Sequence, residues 1–213
     1  CEVALQVCEA LSSAHAKGIV HRDLKPDNIY FAQEDAGGEI VKVLDFGLAK
    51  AFRGEGKDQS LTAAGDVFGT PLYMSPEQVR GEAVDHRTDL YALAVMLYEC
   101  LTGTPPFRGA SVHETLHMQV SMPPEPIAER RPGLEVPMHF ERLLFQMLAK
   151  ERDDRPANAR VVRRQFEEIH AELAARVERE SKESGPTPRV VQGSPAPGSV
   201  GGIPLAAVAA RGS

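Results

Sequence analysis

The run "DLYALAVMLYECLTG", beginning at Asp89, is apolar on nearly every side. A surface helix keeps a polar face for solvent, so a helix without one has to be enclosed by other elements. This requirement points to a mainly α-helical domain built around the segment, with Thr88 as the expected N-cap and Gly103 as the stop. Partner helices are available. Residues 2 to 16 set Val3, Val7, Leu11 and Ala14 on one stripe, with Gly18 beyond its end. Phe140, Leu143, Leu144, Met147 and Leu148 repeat at helical spacing, as do Val162, Phe166, Ile169, Leu173 and Val177. One strand pair is expected: "IYFA" and "EIVKVLDFG" flank the turn-forming "EDAGG" and form a hairpin.

Between Leu48 and Thr70 periodicity disappears for about 20 residues, a length at which loops are usually functional. After about Glu180 the composition shifts to Gly, Pro, Ser and Val, so the expected organisation is a domain over residues 1 to 180 and a disordered linker over 181 to 213. With 213 residues, of which 42% are hydrophobic and 25% charged, the chain is long enough for one sizeable core plus a tail. A formal net charge of -6 argues against a nucleic-acid-binding face. No apolar run approaches the roughly 20 residues that span a bilayer. Three cysteines, Cys1, Cys8 and Cys100, show neither disulfide-framework nor metal-ligand spacing and are expected to be buried small hydrophobes in a reducing compartment. A start at Cys1 rather than Met gives the chain the look of a fragment.

The chemistry concentrates in "HRDLKPDN", residues 21 to 28. Asp23 and Asp45, with the amide of Asn28 between them in sequence, offer a base and oxygen ligands that the hairpin would bring together. Magnesium suits such a set, because this hard cation takes one or two carboxylates and completes its octahedron with phosphate oxygens and water. Lys25 adds a cation able to neutralise charge developing on a phosphoryl group. Together these roles describe phosphoryl transfer.

"HRDLKPDN", then "DFG" at 45 to 47, "GTPLYMSPE" at 69 to 77, "DLYALAVMLYECLTGTPPF" and "RP" at 155 to 156 resemble, in order and spacing, the C-terminal lobe of a protein kinase. The wording is similar to bacterial serine/threonine kinases of the eukaryotic type, over residues 1 to about 175. The resemblance implies a C-lobe fold with a short β-hairpin carrying the catalytic and metal-binding loops, and a flexible tail behind it. It makes Asp23 the base for a substrate hydroxyl, Lys25 a γ-phosphate contact typical of the Ser/Thr branch, and Asn28 and Asp45 the Mg2+ ligands, with ATP as donor and protein Ser/Thr as acceptor. His21 and Phe46 would pack as hydrophobic spine residues, Asp89 would hold the catalytic loop's backbone, and Glu77 and Arg155 would form a buried ion pair. Arg22, beside the base, would clamp a regulatory phosphate. Thr62 is the expected phosphorylated position, Ser60 the second choice, and Thr70 would order the substrate platform.

A kinase also needs an N-terminal lobe with a Gly-rich loop, a strand lysine and its glutamate partner. Neither "RGEGKDQS" at 53 to 60, inside the activation loop, nor Lys42, within the hairpin, supplies one. On this reading the lobe is missing, the chain alone transfers phosphate poorly, and the surface that meets the lobe is an exposed apolar patch. A truncated lobe kept as a binding module and a decayed gene product are the rival readings, and the intact Asp23, Lys25, Asn28 and Asp45 favour a fragment of an active kinase. The expected location is the cytoplasm, including the case of a membrane-anchored kinase whose cytoplasmic domain this would be. A remote alternative is "HETLH", where His113 and His117 match a zinc pair with Glu114 as base and Glu141 as a third ligand. That short match ranks far behind the kinase pattern.

Overall fold

Every residue from Thr88 to Met96 is buried in a helix that runs from Arg87 to Thr102. The computed structural model describes residues 1–34, 37–46 and 71–183. In chain order the elements are α1 (Glu2–His15), β1 (Ile29–Glu34), β2 (Gly38–Val43), α2 (Pro76–Val79), α3 (Arg87–Thr102), α4 (Val112–Ser121), α5 (Ile127–Arg130), α6 (Met138–Met147) and α7 (Ala159–Glu183). Short 3-10 turns cover Pro26–Asn28, Pro71–Tyr73 and Arg152–Asp154. The architecture is mainly helical with one antiparallel pair, as the periodicity requires. No helix among the described residues is long and apolar enough to cross a membrane.

Helix α3 forms the axis, with α1, α5 and α6 packed around it and α7 lying across α1 and α6. Leu11, Leu24, Leu90, Tyr91, Leu144 and Phe166 are among its fully buried side chains. The strands pair from Ile29 opposite Val43 to Glu34 opposite Gly38, and the Gln6 side chain accepts a 2.8 Å bond from the Val41 amide. That bond fixes the hairpin to α1, and so fixes the loop connecting them.

Several local expectations change. The α1 stripe is rotated: Ala4, Val7, Cys8 and Leu11 are buried, whereas Val3 is 39% exposed, because α1 sits between α7 and β2. Thr88 does not cap α3. The cap position is His86, Asp85 accepts the Arg87 amide at 2.8 Å, and the Thr88 hydroxyl is turned inward to donate to Glu77. Gly103 does end the helix, in the left-handed region at φ 81°. Only Cys8 is a buried cysteine, with its thiol pushed up by burial to about 12. Cys1 precedes the first helix and Cys100 lies on the last turn of α3, where it leaves the core, and both are exposed. Helix α7 outruns its neighbours, so Leu173 is half-buried and Val177 is exposed. It continues to Glu183.

Candidate active site

Asp89, at the start of α3, is fully buried, and its carboxylate accepts three hydrogen bonds. The backbone amides of His21 and Arg22 donate at 2.8 Å each, and the His15 imidazole Nε2 donates at 2.7 Å. A carboxylate accepting from successive amides forces the chain into a tight bend, and Arg22 adopts φ 67° to make it. Gln78 on α2 closes the other side, donating from its amide to the Arg22 carbonyl at 2.6 Å. The Arg22 guanidinium has no acidic partner among the described residues.

The bend sends residues 23 to 28 along the mouth of the hairpin. His21 is buried, donates from Nε2 to the Leu44 carbonyl at 2.8 Å and lies 4.9 Å from the Phe46 ring. Its other nitrogen receives a long, 3.4 Å contact from the Asp23 amide. The Lys25 ammonium donates to the Asp23 carboxylate at 3.2 Å, both groups remaining open to solvent. Asn28, 6% exposed, accepts the Leu44 amide at 2.9 Å through its backbone, which places Asp45 one residue beyond that bond. Asp45 is exposed, at φ 60°. The Asn28 side-chain oxygen is buried and has no hydrogen-bond partner.

An orphaned amide oxygen is costly unless something accepts its lone pairs, and a hard cation does so. Asn28 and Asp45 are both oxygen donors, so the residues present fit a Mg2+ ion. Asp23, with a basic oxygen facing solvent and Lys25 at its side, can take a proton from an approaching hydroxyl.

Glu77 and Arg155 support the site from below. Arg155 donates from both terminal nitrogens to the two Glu77 oxygens at 2.8 and 2.7 Å, and its remaining donors reach the Ala149, Lys150 and Arg87 carbonyls. Its guanidinium also lies 4.9 Å from the Tyr91 ring centre. Burial alone would raise the Glu77 carboxyl, but the bonds from Arg155 and Thr88 outweigh it and hold the group below its ordinary value. All five donors of the guanidinium are therefore used, which is what a buried arginine requires.

Residues 1–167 match the family model described as the protein kinase domain. The chain belongs to the protein kinase family. Relatives of this kinase chain include serine/threonine-protein kinase pkn3 of Myxococcus xanthus, 43% identical over 187 residues, which is 88% of this chain and 33% of the relative. Pkn1 of the same organism is 42% identical over 170 residues, covering 80% of this chain and 24% of the relative. PknB of Mycobacterium tuberculosis is 40% identical over 169 residues, 79% of this chain and 26% of the relative. The chain thus spans a quarter to a third of the length of the curated relatives it matches.

The zinc pattern dissolves in the kinase fold. Glu114 accepts the Ala110 amide at 2.6 Å, Glu141 accepts the Ile127 amide at 2.9 Å and His117 meets Ser121 at 3.2 Å. Among the described residues no three histidines, cysteines or acids gather as a metal-holding group. Both glutamates serve helix starts instead. Thr62, Ser60 and Thr70 lie outside the described residues.

Sequence reasoning missed three positioning residues of the kinase site: His15, Gln78 and Thr88. Gln78 carried a signal, since Ser75 three residues earlier forms a capping box with it and so makes a side-chain role there predictable. His15 carried none, because its partner is 74 residues away.

Proposed function

We propose that this chain is the catalytic part of a serine/threonine protein kinase that transfers the γ-phosphate of ATP to Ser or Thr hydroxyls of proteins. The observation that carries the reading is the buried, unpartnered oxygen of Asn28 in the same loop as the Asp23–Lys25 pair. Asn28 and Asp45 would hold Mg2+, which when bound neutralises phosphate charge. Asp23 orients the acceptor hydroxyl and takes its proton, and Lys25 stabilises charge on the phosphoryl oxygens. Arg22, without an acidic partner among the described residues, would receive a phosphate on Thr62, or on Ser60 as second choice, and Thr70 would order the acceptor platform. The same reading locates the reaction in the cytoplasm.

A partner lobe would close over the nucleotide. Ile19, Tyr30, Phe31 and Leu44 support this part of the reading, being 43%, 57%, 51% and 42% exposed along the hairpin and its approach. Large apolar side chains left exposed on both faces of the hairpin favour a body that covers it.

The test is phosphotransfer from labelled ATP to a Ser/Thr protein acceptor by a chain extended before Cys1 with the nucleotide-covering lobe of a bacterial relative. Magnesium-dependent labelling that falls at least about 100-fold in Asp23→Asn is expected. Labelling that persists in that variant would remove Asp23 from the role.

A further inference from the structure

Helix α4 turns a fully buried amide, that of Gln119, toward the 3-10 turn Pro71–Tyr73, which directly follows Thr70. We propose that Gln119 is a positioning residue for the protein acceptor: it fixes the backbone of that turn beside the Asp23 loop, and Lys150 fixes Gln119. This role rests on the kinase reading and deepens it, by naming side chains through which the acceptor, and not the nucleotide, is held.

Every polar atom of the Gln119 amide is used. Its nitrogen donates to the Leu72 carbonyl at 2.7 Å and to the Pro71 carbonyl at 3.2 Å. Only the NH2 end can serve two carbonyls, so the amide has one orientation, and its oxygen is left to accept the Tyr91 hydroxyl. A buried amide on the last turn of α4 costs free energy unless it is matched in this way, and all its partners lie outside its own helix. Two successive carbonyls tied to one side chain fix the torsions between them.

The turn so held lies next to the catalytic loop. Tyr73 donates from its hydroxyl to Glu99 at 2.6 Å. Burial, then the Glu99 carboxylate and then Asp27 raise that hydroxyl above its ordinary value, which puts Tyr73 within reach of the loop carrying Asp23 and Lys25. A few residues on, Gln78 makes its bond to the Arg22 carbonyl. The segment from Pro71 to Gln78 therefore borders the loop, where a chain presenting a hydroxyl to Asp23 has to pass.

Lys150 secures the clamp from behind. Its ammonium donates to the Gln119 and Met118 carbonyls at 2.8 and 3.2 Å, satisfying the end of α4, and lies 3.6 Å from the Phe107 ring centre. Arg155 in turn donates to the Lys150 carbonyl at 3.2 Å. The turn is thus tied through α4 to the buried Glu77–Arg155 pair.

The experiment compares the lobe-extended kinase with its Gln119→Leu and Lys150→Met variants in transfer to a Ser/Thr protein acceptor, varying acceptor and ATP separately. In Gln119→Leu the KM for the acceptor is expected to rise at least about tenfold, with the KM for ATP within about twofold of the parent. Lys150→Met should raise the acceptor KM by about threefold, and it carries the comparison where Gln119→Leu fails to fold. In the 213-residue chain alone, amide exchange at Leu72 and Tyr73 should quicken in both variants. An acceptor KM that stays put in the folded variants of an active parent, KM values for acceptor and ATP that rise together, or unchanged exchange at the turn would overturn the proposal alone. A parent without magnesium-dependent transfer to protein would overturn the kinase reading, and the proposal with it.

Discussion

Arg155 meets Glu77 across 78 residues of chain through two parallel bonds of 2.8 and 2.7 Å, closing α2 against the segment that leads into α7. Removing one partner strands the other charge in a buried position. Arg155→Leu is therefore expected to lower stability by about 3–5 kcal/mol in urea unfolding, with Glu77→Met in the same chain recovering a large part of it. A double variant no more stable than the single one would count against the pair as the source of the loss.

Asp89 concentrates three donors on one carboxylate. Asp89→Asn replaces one accepting oxygen by a donor, which then opposes a backbone or imidazole N–H. A loss of about 2–3 kcal/mol is expected, with faster amide exchange at His21 and Arg22. Unchanged exchange at those two amides would show that the loop holds its bend without the carboxylate.

Asn28 separates stability from ligand binding. Asn28→Leu removes an unpartnered buried oxygen, so the metal-free chain should be as stable as the parent or more so by about 1 kcal/mol. The stabilisation that Mg2+ with ATP confers on the lobe-extended kinase should disappear in the same variant. Thermal unfolding with and without Mg2+ and ATP reads both effects, and retention of the nucleotide-linked increment would exclude Asn28 as a ligand.

Acid should act through Asp85 and Glu77 in the same direction. Burial by itself would raise the Asp85 carboxyl, but the Arg87 side chain and amide more than reverse this and hold it at about 2, against 3.8 ordinarily. As pH falls the unfolded chain takes up this proton before the folded one does, so the contribution is complete above about pH 5 and drains away between about pH 4 and 2. Asp85→Asn should be less stable at pH 6 and flatter across that acid window. An equally steep acid limb in the variant would refute the assignment.

Gly103 has φ 81°, and an added Cβ there would touch nothing within 4 Å. The cost of Gly103→Ala is then purely conformational, about 1 kcal/mol by denaturant unfolding. A loss several times larger would mean that packing at the end of α3 also depends on the glycine.

How much of this was readable in the chain depends on the range of the interaction involved. The all-round apolar character of α3 demanded a helical shell, and the two short strand-like runs on either side of the turn-forming "EDAGG" announced the hairpin, since both patterns are local. Thr88 was misread as a cap because its true partner, Glu77, is a tertiary neighbour that the helix-start rule does not consider. His15 looked like any polar residue at a helix end, although it shares the Asp89 carboxylate with the loop. The glutamates at 114 and 141 matched a metal pattern by type, while their bonds to Ala110 and Ile127 emerged only from the packing.

Arg22 and Asp45 both occupy the left-handed region, at φ 67° and 60°, where glycine would sit without strain. A search for hardier versions of this chain, judged by folding alone, should therefore find glycine at these two places early. Variants won in that way would surrender the guanidinium and the carboxylate to which the proposed function gives a regulatory and a metal-holding role. The two torsions thus mark where selection for robustness and selection for catalysis pull the sequence apart.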